Sequence, residues 1–203
     1  MEITLEAIKS LRKRSGAGFT NVKEALDAAR GDEEKALIYL REKGMAKGAK
    51  RADREAPNGC IVSYIHGEGS MGVLVELNSE TDFAARDEKF KELAKQIALQ
   101  VGATNPEYIS KESIPLDVLE EERKIAMKEI DENKPKEIVT KIIEGKMQKF
   151  YQENVLLEQK YFKDESKTIE DLINDLVAAL GEKIEVGRIC RFQIGRSATY
   201  STL

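Results

Sequence analysis

An α+β fold is predicted: a short three-helix bundle at the N-terminus, then a mixed core of a small antiparallel sheet covered by helices. Three observations carry it. Residues 1–44 repeat one punctuation three times, a polar cap before an apolar-periodic segment and a glycine behind it. From Gly59 the apolar residues switch to strand-like runs about a glycine-containing turn. Helical spacing then returns, and the chain closes on an alternating run.

Taken in order, Thr4 caps a first helix lined by Leu5, Ile8 and Leu11, which stops near Ser15-Gly16-Ala17-Gly18. Thr20 caps a second, with Val22, Ala25, Leu26 and Ala29 inward and Gly31 as its stop. Asp32 caps a third, with Ala36, Leu37 and Leu40 inward and Gly44 at its end. Residues 45–58 lose apolar periodicity, carry Lys47, Lys50, Arg51 and Arg54, and close on Pro57. They read as a basic linker, its charges those of a solvated connector.

The core is expected over residues 59–194. Cys60–Ile65 and Met71–Leu77 form a hairpin about residues 66–70. A polar stretch ending on Phe83 leads to a helix with Phe90, Leu93, Ala94, Ile97, Ala98 and Val101 on one face and Gly102 at its end. Pro115 opens a charged helix over residues 116–130, and Pro135 sits in the first turn of another. Residues 155–162 read as a strand, and Thr168 caps a last helix that stops at Gly181. Ile184, Val186, Cys190, Phe192 and Ile194 share one face of a final strand, interrupted by Arg188. Residues 195–203 read as a loose polar tail.

Composition narrows the function. Hydrophobic residues are 41% and charged residues 34% of 203, enough for a core and a highly charged surface. A net charge of −4 argues against direct nucleic-acid binding, which calls for a basic excess. No apolar run approaches the roughly 20 residues of a membrane span, and Met1-Glu2-Ile3-Thr4 opens an amphipathic pattern rather than a signal peptide. Cys60 and Cys190 have neither metal nor disulfide-framework spacing, which favours a reducing compartment, the cytoplasm.

Catalytic constellations are scarce. His66 is the one imidazole, and it lies ~20 Å along the predicted strand from Cys60, beyond proton transfer. Glu120-Glu121-Glu122 fans around a helix rather than converging on a metal. Gly16-Ala17-Gly18 and Gly67-Glu68-Gly69 lack the strand, lysine and hydroxyl of a phosphate cradle. No catalytic residue, metal or cofactor is therefore expected. Thr81-Asp82-Phe83 stands apart, with two readings. Either Thr81 or Asp82 caps the next helix while Phe83 packs down as a staple, or Phe83 projects as an anchor into a partner.

Two stretches resemble the elongation factor Ts family closely: Arg12-Lys13-Arg14-Ser15-Gly16-Ala17-Gly18-Phe19, continuing to Leu26, and Asn78-Ser79-Glu80-Thr81-Asp82-Phe83-Ala84-Ala85-Arg86-Asp87. Glu144-Gly145-Lys146-Met147-Gln148-Lys149-Phe150-Tyr151 and Leu156-Leu157-Glu158-Gln159 are similar to its C-terminal part. The resemblance implies a ubiquitin-associated-like N-terminal bundle that docks on the GTPase elongation factor Tu, with Arg12, Gly16, Ala17, Gly18 and Phe19 at the contact. It implies that Thr81, Asp82, Phe83 and Ala84 form a wedge against the partner's magnesium and phosphate site, promoting GDP release so that GTP can load. Ala84 departs from the family, which commonly has valine there. The chain also looks short of the longer members' second core half, which a homodimer would supply. Cys190 would then lie near the two-fold axis or be an ordinary buried thiol. The alternative is a binding adaptor with the same bundle and no effect on nucleotide.

Overall fold

The cap-and-stop punctuation folds as three helices in the computed structural model, which describes residues 3–15, 17–49, 51, 53–128, 130 and 135–203, with backbone alone at 45 and 47–49. They are α1 (Leu5–Ser15), α2 (Phe19–Ala28) and α3 (Glu33–Ala49). The Ala7 N–H donates to Thr4 Oγ1 at 3.2 Å, and Asp32 Oδ1 accepts from Glu34 and Lys35 at 3.1 Å each. Ile8, Leu11, Val22, Leu26, Ala36 and Leu40 bury one small core. Leu5, expected inward, is exposed, and α2 begins at Phe19 on a Gly18 N-cap rather than on Thr20.

The remaining elements are β1 (Asn58–His66), β2 (Met71–Ser79), α4 (Asp82–Arg86), α5 (Glu88–Thr104), α6 (Leu116–Lys128) and α7 (Lys136–Asn154). They continue with β3 (Lys160–Tyr161), β4 (Asp164–Thr168), α8 (Ile169–Leu180), β5 (Ile184–Gln193) and β6 (Thr199–Thr202). The principal sheet is ordered β1-β2-β5-β6, and β3 and β4 form a separate antiparallel pair. The predicted class therefore stands, a mixed α and β fold with a helical N-terminal region. Two compact units emerge, each built from separated stretches of chain: residues 1–62, 76–95 and 170–185, and residues 63–75, 96–169 and 186–203.

In the second unit the sheet presents Tyr64 and Met71 to α5, where a Cβ at Gly102 would lie 3.3 Å from Tyr64 and 3.2 Å from Met71. Arg191 Nε donates to the Gly102 carbonyl on that side. Behind α5, Gln100 and Gln159 are buried, and their side-chain amide atoms are hydrogen-bonded. Gln100 Nε2 donates to Gln159 Oε1 and to the Lys160 carbonyl, and its Oε1 accepts from the Phe162 N–H, all at 3.1 Å. Gln159 Nε2 donates to the Glu153 carbonyl at 3.1 Å. Such a network fixes one arrangement, because any unmet member would be costly.

Several expectations are corrected. Residues 155–162 are a short 3-10 turn, Leu156–Glu158, and two strand residues, since Gln159 is turned into that network. The polar tail pairs with β5 as β6, giving backbone partners to an otherwise open edge. On β5 the alternation slips at Gly187–Arg188: Val186 and Ile189 are both buried, while Phe192 and Ile194 are exposed. A glycine within a strand commonly marks such a slip.

Gly44 and Gly102 are not stops either. Both lie inside helices that run on to Ala49 and Thr104. A Cβ at Gly44 would lie 2.9 Å from Ala178 Cβ and 3.1 Å from the Asn174 carbonyl, so glycine there lets α3 approach α8. In contrast, Gly145 within α7 faces open space. Gly145→Ala should therefore stabilise the protein by about 0.5–1 kcal/mol, and Gly44→Ala should destabilise it by about 1–3 kcal/mol. Urea unfolding of both variants checks this; equal stabilisation would refute the close approach.

Candidate functional site

The stretch between β2 and α5 is held from below by its own backbone chemistry. A Cβ at Gly59 would fall 2.2 Å from the Leu77 carbonyl, so only glycine lets β1 run this close to the end of β2. Ser79 is fully buried, and its hydroxyl donates to the Thr81 carbonyl at 2.9 Å. Asn58 Nδ2 donates to the Glu80 carbonyl at 2.9 Å. Thr81, with extended backbone, caps α4 by accepting the Ala84 N–H on Oγ1 at 3.3 Å.

Two flanks grip the loop. On one, Arg51 Nη1 donates to Glu80 Oε1 at 2.7 Å and Arg54 Nη1 to Oε2 at 2.9 Å. On the other, the Lys183 N–H donates to Glu80 Oε1 at 2.7 Å. Glu182 takes both polar hydrogens of Thr81, the N–H at 3.0 Å and the hydroxyl at 2.7 Å. Lys183 Nζ closes the ring by donating to the Arg54 carbonyl at 2.9 Å. Arg51 is thus largely buried against Glu80, and Arg54, though more than half exposed, pairs with the same carboxylate, so both do more than the solvated connector predicts.

Glu80 titrates far below its ordinary 4.5, at about 2. Burial opposes the shift, but the Lys183 N–H and the Arg54 and Arg51 guanidiniums outweigh it.

On this base the predicted residues separate into exposed and supporting groups. Phe83 is 83% exposed, the most exposed large hydrophobic side chain among the described residues. The staple reading is therefore wrong for Phe83, although the capping half of it holds for Thr81. Asp82 is exposed beside it and pairs with Arg86 at 2.8 Å, an i,i+4 surface pair worth a few tenths of a kcal/mol. That pair leaves the carboxylate free to exchange partners at little cost. Ala84 is 2% exposed and packs beneath the loop, so its side chain serves as support rather than surface.

At the N-terminal corner Arg12 and Phe19 are exposed, Gly18 is exposed as the α2 N-cap, and Ala17 is buried in the bundle core. Gly16 lies outside the described residues. Corner and loop belong to the same compact unit. Within it α8 serves both: Asp171 near its start accepts from Arg41 Nε on α3 at 3.0 Å, and the residues just past its end hold Thr81 and Glu80. Sequence reasoning missed Glu182 and Lys183, because they act 101 and 103 residues from their partners.

The groups considered for chemistry are elsewhere engaged or weakly suited. Burial pushes the Cys60 thiol up against a smaller opposing pull from Lys91, which makes its thiolate scarce. His66 Nδ1 is hydrogen-bonded to the Tyr64 hydroxyl at 2.7 Å. Among the described residues no group of three His, Cys, Asp or Glu is placed to hold a metal ion, and no helix is long and apolar enough to cross a membrane.

Comparison with known proteins agrees along nearly the whole chain. Residues 32–196 match the family model described as Elongation factor TS. The chain is 50% identical to the elongation factor Ts of Caldanaerobacter subterraneus subsp. tengcongensis over 194 residues, covering 95% of this chain and 97% of that protein. It is 49% identical to that of Fervidobacterium nodosum, covering 96% and 100%. It is 51% identical to that of Coprothermobacter proteolyticus, with the same coverage.

The Glu80 shift yields a signed expectation. Its folded value lies below its ordinary one, so its stabilisation is complete above pH 4.5 and is lost as pH falls through about 2. The melting-temperature gap between the wild type and Glu80→Gln should be widest above pH 4.5 and shrink towards pH ~2. A gap that does not change with pH would show that the carboxylate charge is not what holds the loop.

Proposed function

The chain belongs to the elongation factor Ts family, and we propose that it is the guanine-nucleotide exchange factor for elongation factor Tu. In this reading it is a cytoplasmic translation elongation factor that performs no bond chemistry of its own and needs neither cofactor nor nucleic acid. The observation that carries the reading is a phenylalanine that is 83% exposed on a backbone hydrogen-bonded from two sides.

The physics is that of coupled binding. Residues 1–44 dock, with Arg12 and Phe19 in contact through their side chains, Gly18 through backbone, and Ala17 shaping the corner from within. The core, residues 59–194, carries the wedge. Phe83 leaves water as it enters the GTPase, which supplies roughly 2 kcal/mol, and Asp82 brings a negative charge to the magnesium and phosphate site. Those contacts are available only when the GTPase has loosened its own hold on magnesium and GDP. The factor therefore binds the nucleotide-free partner better, and the coupling is reciprocal. Each ~1.4 kcal/mol of coupling weakens GDP tenfold. GTP then loads by mass action.

We propose further that the chain is a homodimer through the sheet face turned away from α5. Ile65, Leu74, Phe192 and Tyr200 are exposed there, and Cys190 lies directly opposite Tyr200 in the β5–β6 register. An apolar sheet face of this kind is costly to leave in water.

Phe83→Ala should retain docking through the N-terminal bundle and lose most of the acceleration of fluorescent-GDP release from elongation factor Tu. Release at the wild-type rate would contradict the wedge and favour the adaptor. Phe192→Asp should turn the dimer into a monomer by light scattering at tens of micromolar, and a monomeric wild type would contradict the dimer.

A further inference from the structure

The wedge is carried by a helix too short to hold itself. α4 has five residues, below the length at which a helix is stable alone. Phe83, exposed as it is, has little packing of its own to fix its direction. Its position therefore depends on what holds Thr81, the residue that caps α4.

We propose that Glu182 is a positioning residue for the exchange wedge. The inference rests on the functional reading above and adds a residue to it. Glu182 follows Gly181, whose positive φ of 75° ends α8. That turn aims the carboxylate at the loop, and the next N–H, of Lys183, donates to Glu80. Two consecutive residues thus grip two consecutive residues in antiparallel order, Glu182 on Thr81 and Lys183 on Glu80. Both Glu182 oxygens are used, so Thr81 can neither slide nor rotate its hydroxyl away from the Ala84 N–H without breaking charge-assisted bonds. The far end of the same lever is the Arg41–Asp171 pair, so the reaction force on Phe83 is carried into the helix that also meets the docking bundle.

The work of Glu182 is done through Phe83, which makes it separable from a merely structural role. Glu182→Ala should lower the maximal GDP-release acceleration roughly tenfold, as expected for the loss of two hydrogen bonds to a charged group. The concentration of factor giving half-maximal effect should stay within a factor of about two, because docking lies elsewhere. Glu182→Gln, which can still accept the Thr81 N–H, should recover most of the loss.

The deciding arm is the double variant. Adding Glu182→Ala to Phe83→Ala should cause no further loss of acceleration, whereas independent, additive losses would overturn the proposal. Amide hydrogen exchange on the free protein reads the clamp without the GTPase: Glu182→Ala should speed exchange at Thr81 and Ala84 while leaving the α5 amides protected. Unchanged exchange at those two amides also overturns the proposal. If the wild type fails to accelerate GDP release, the functional reading falls, and the amide measurement alone decides whether Glu182 holds the loop.

Discussion

An exposed aromatic side chain can do mechanical work on a partner only if the backbone beneath it does not yield. Phe83 has almost no side-chain packing of its own, so its rigidity is inherited from the Glu80–Thr81 backbone. That pair is bound by Arg51, Arg54 and Asn58 on one flank and by Glu182 and Lys183 on the other. The charge on Glu80 is central: a half-buried carboxylate without those donors would be expelled or protonated, and the loop would lose its common anchor.

The same unit joins the elements proposed to dock and to carry the wedge. α3 approaches α8 closely at Gly44, and Arg41 fixes the approach with Asp171. α8 ends at Gly181 and delivers Glu182 and Lys183 to the loop. One helix thus touches the element that leaves the docking bundle and the element that carries Phe83. The two glycines do opposite work. Gly44 omits a side chain so that two helices can meet, and Gly181 adopts a left-handed backbone so that one can stop.

That difference shows what was legible in the sequence. Elements announced by periodicity and a hydroxyl or carboxylate cap, such as α1 after Thr4 and α3 after Asp32, were readable because the signal is local. Glycine was ambiguous. Gly181 ends α8 with a positive φ and Gly31 follows α2 with one, after Arg30, whereas Gly44 and Gly102 sit within helices, and only the tertiary neighbour, Ala178 or Tyr64, tells the cases apart. The slip on β5 and the pairing of β6 were hidden for the same reason, since both are settled by a strand partner. At the proposed site, Thr81, Asp82, Phe83 and Ala84 were named from motif resemblance, and Thr81 was legible as a cap from its position. The roles of Glu182, Lys183, Arg51 and Arg54 could not, because they are written in separations that no local pattern records.

The proposed exchange function requires that the chain hold the nucleotide-free GTPase more tightly than the GDP-bound form, with Phe83 carrying a large share of the difference. Calorimetric titration of elongation factor Tu in the two states, at fixed magnesium, measures it directly. The proposed function predicts tighter binding to the empty form, by a factor of ten for each ~1.4 kcal/mol of coupling, and a smaller ratio for Phe83→Ala. Equal affinities for the two states would contradict it, however tightly the proteins bound.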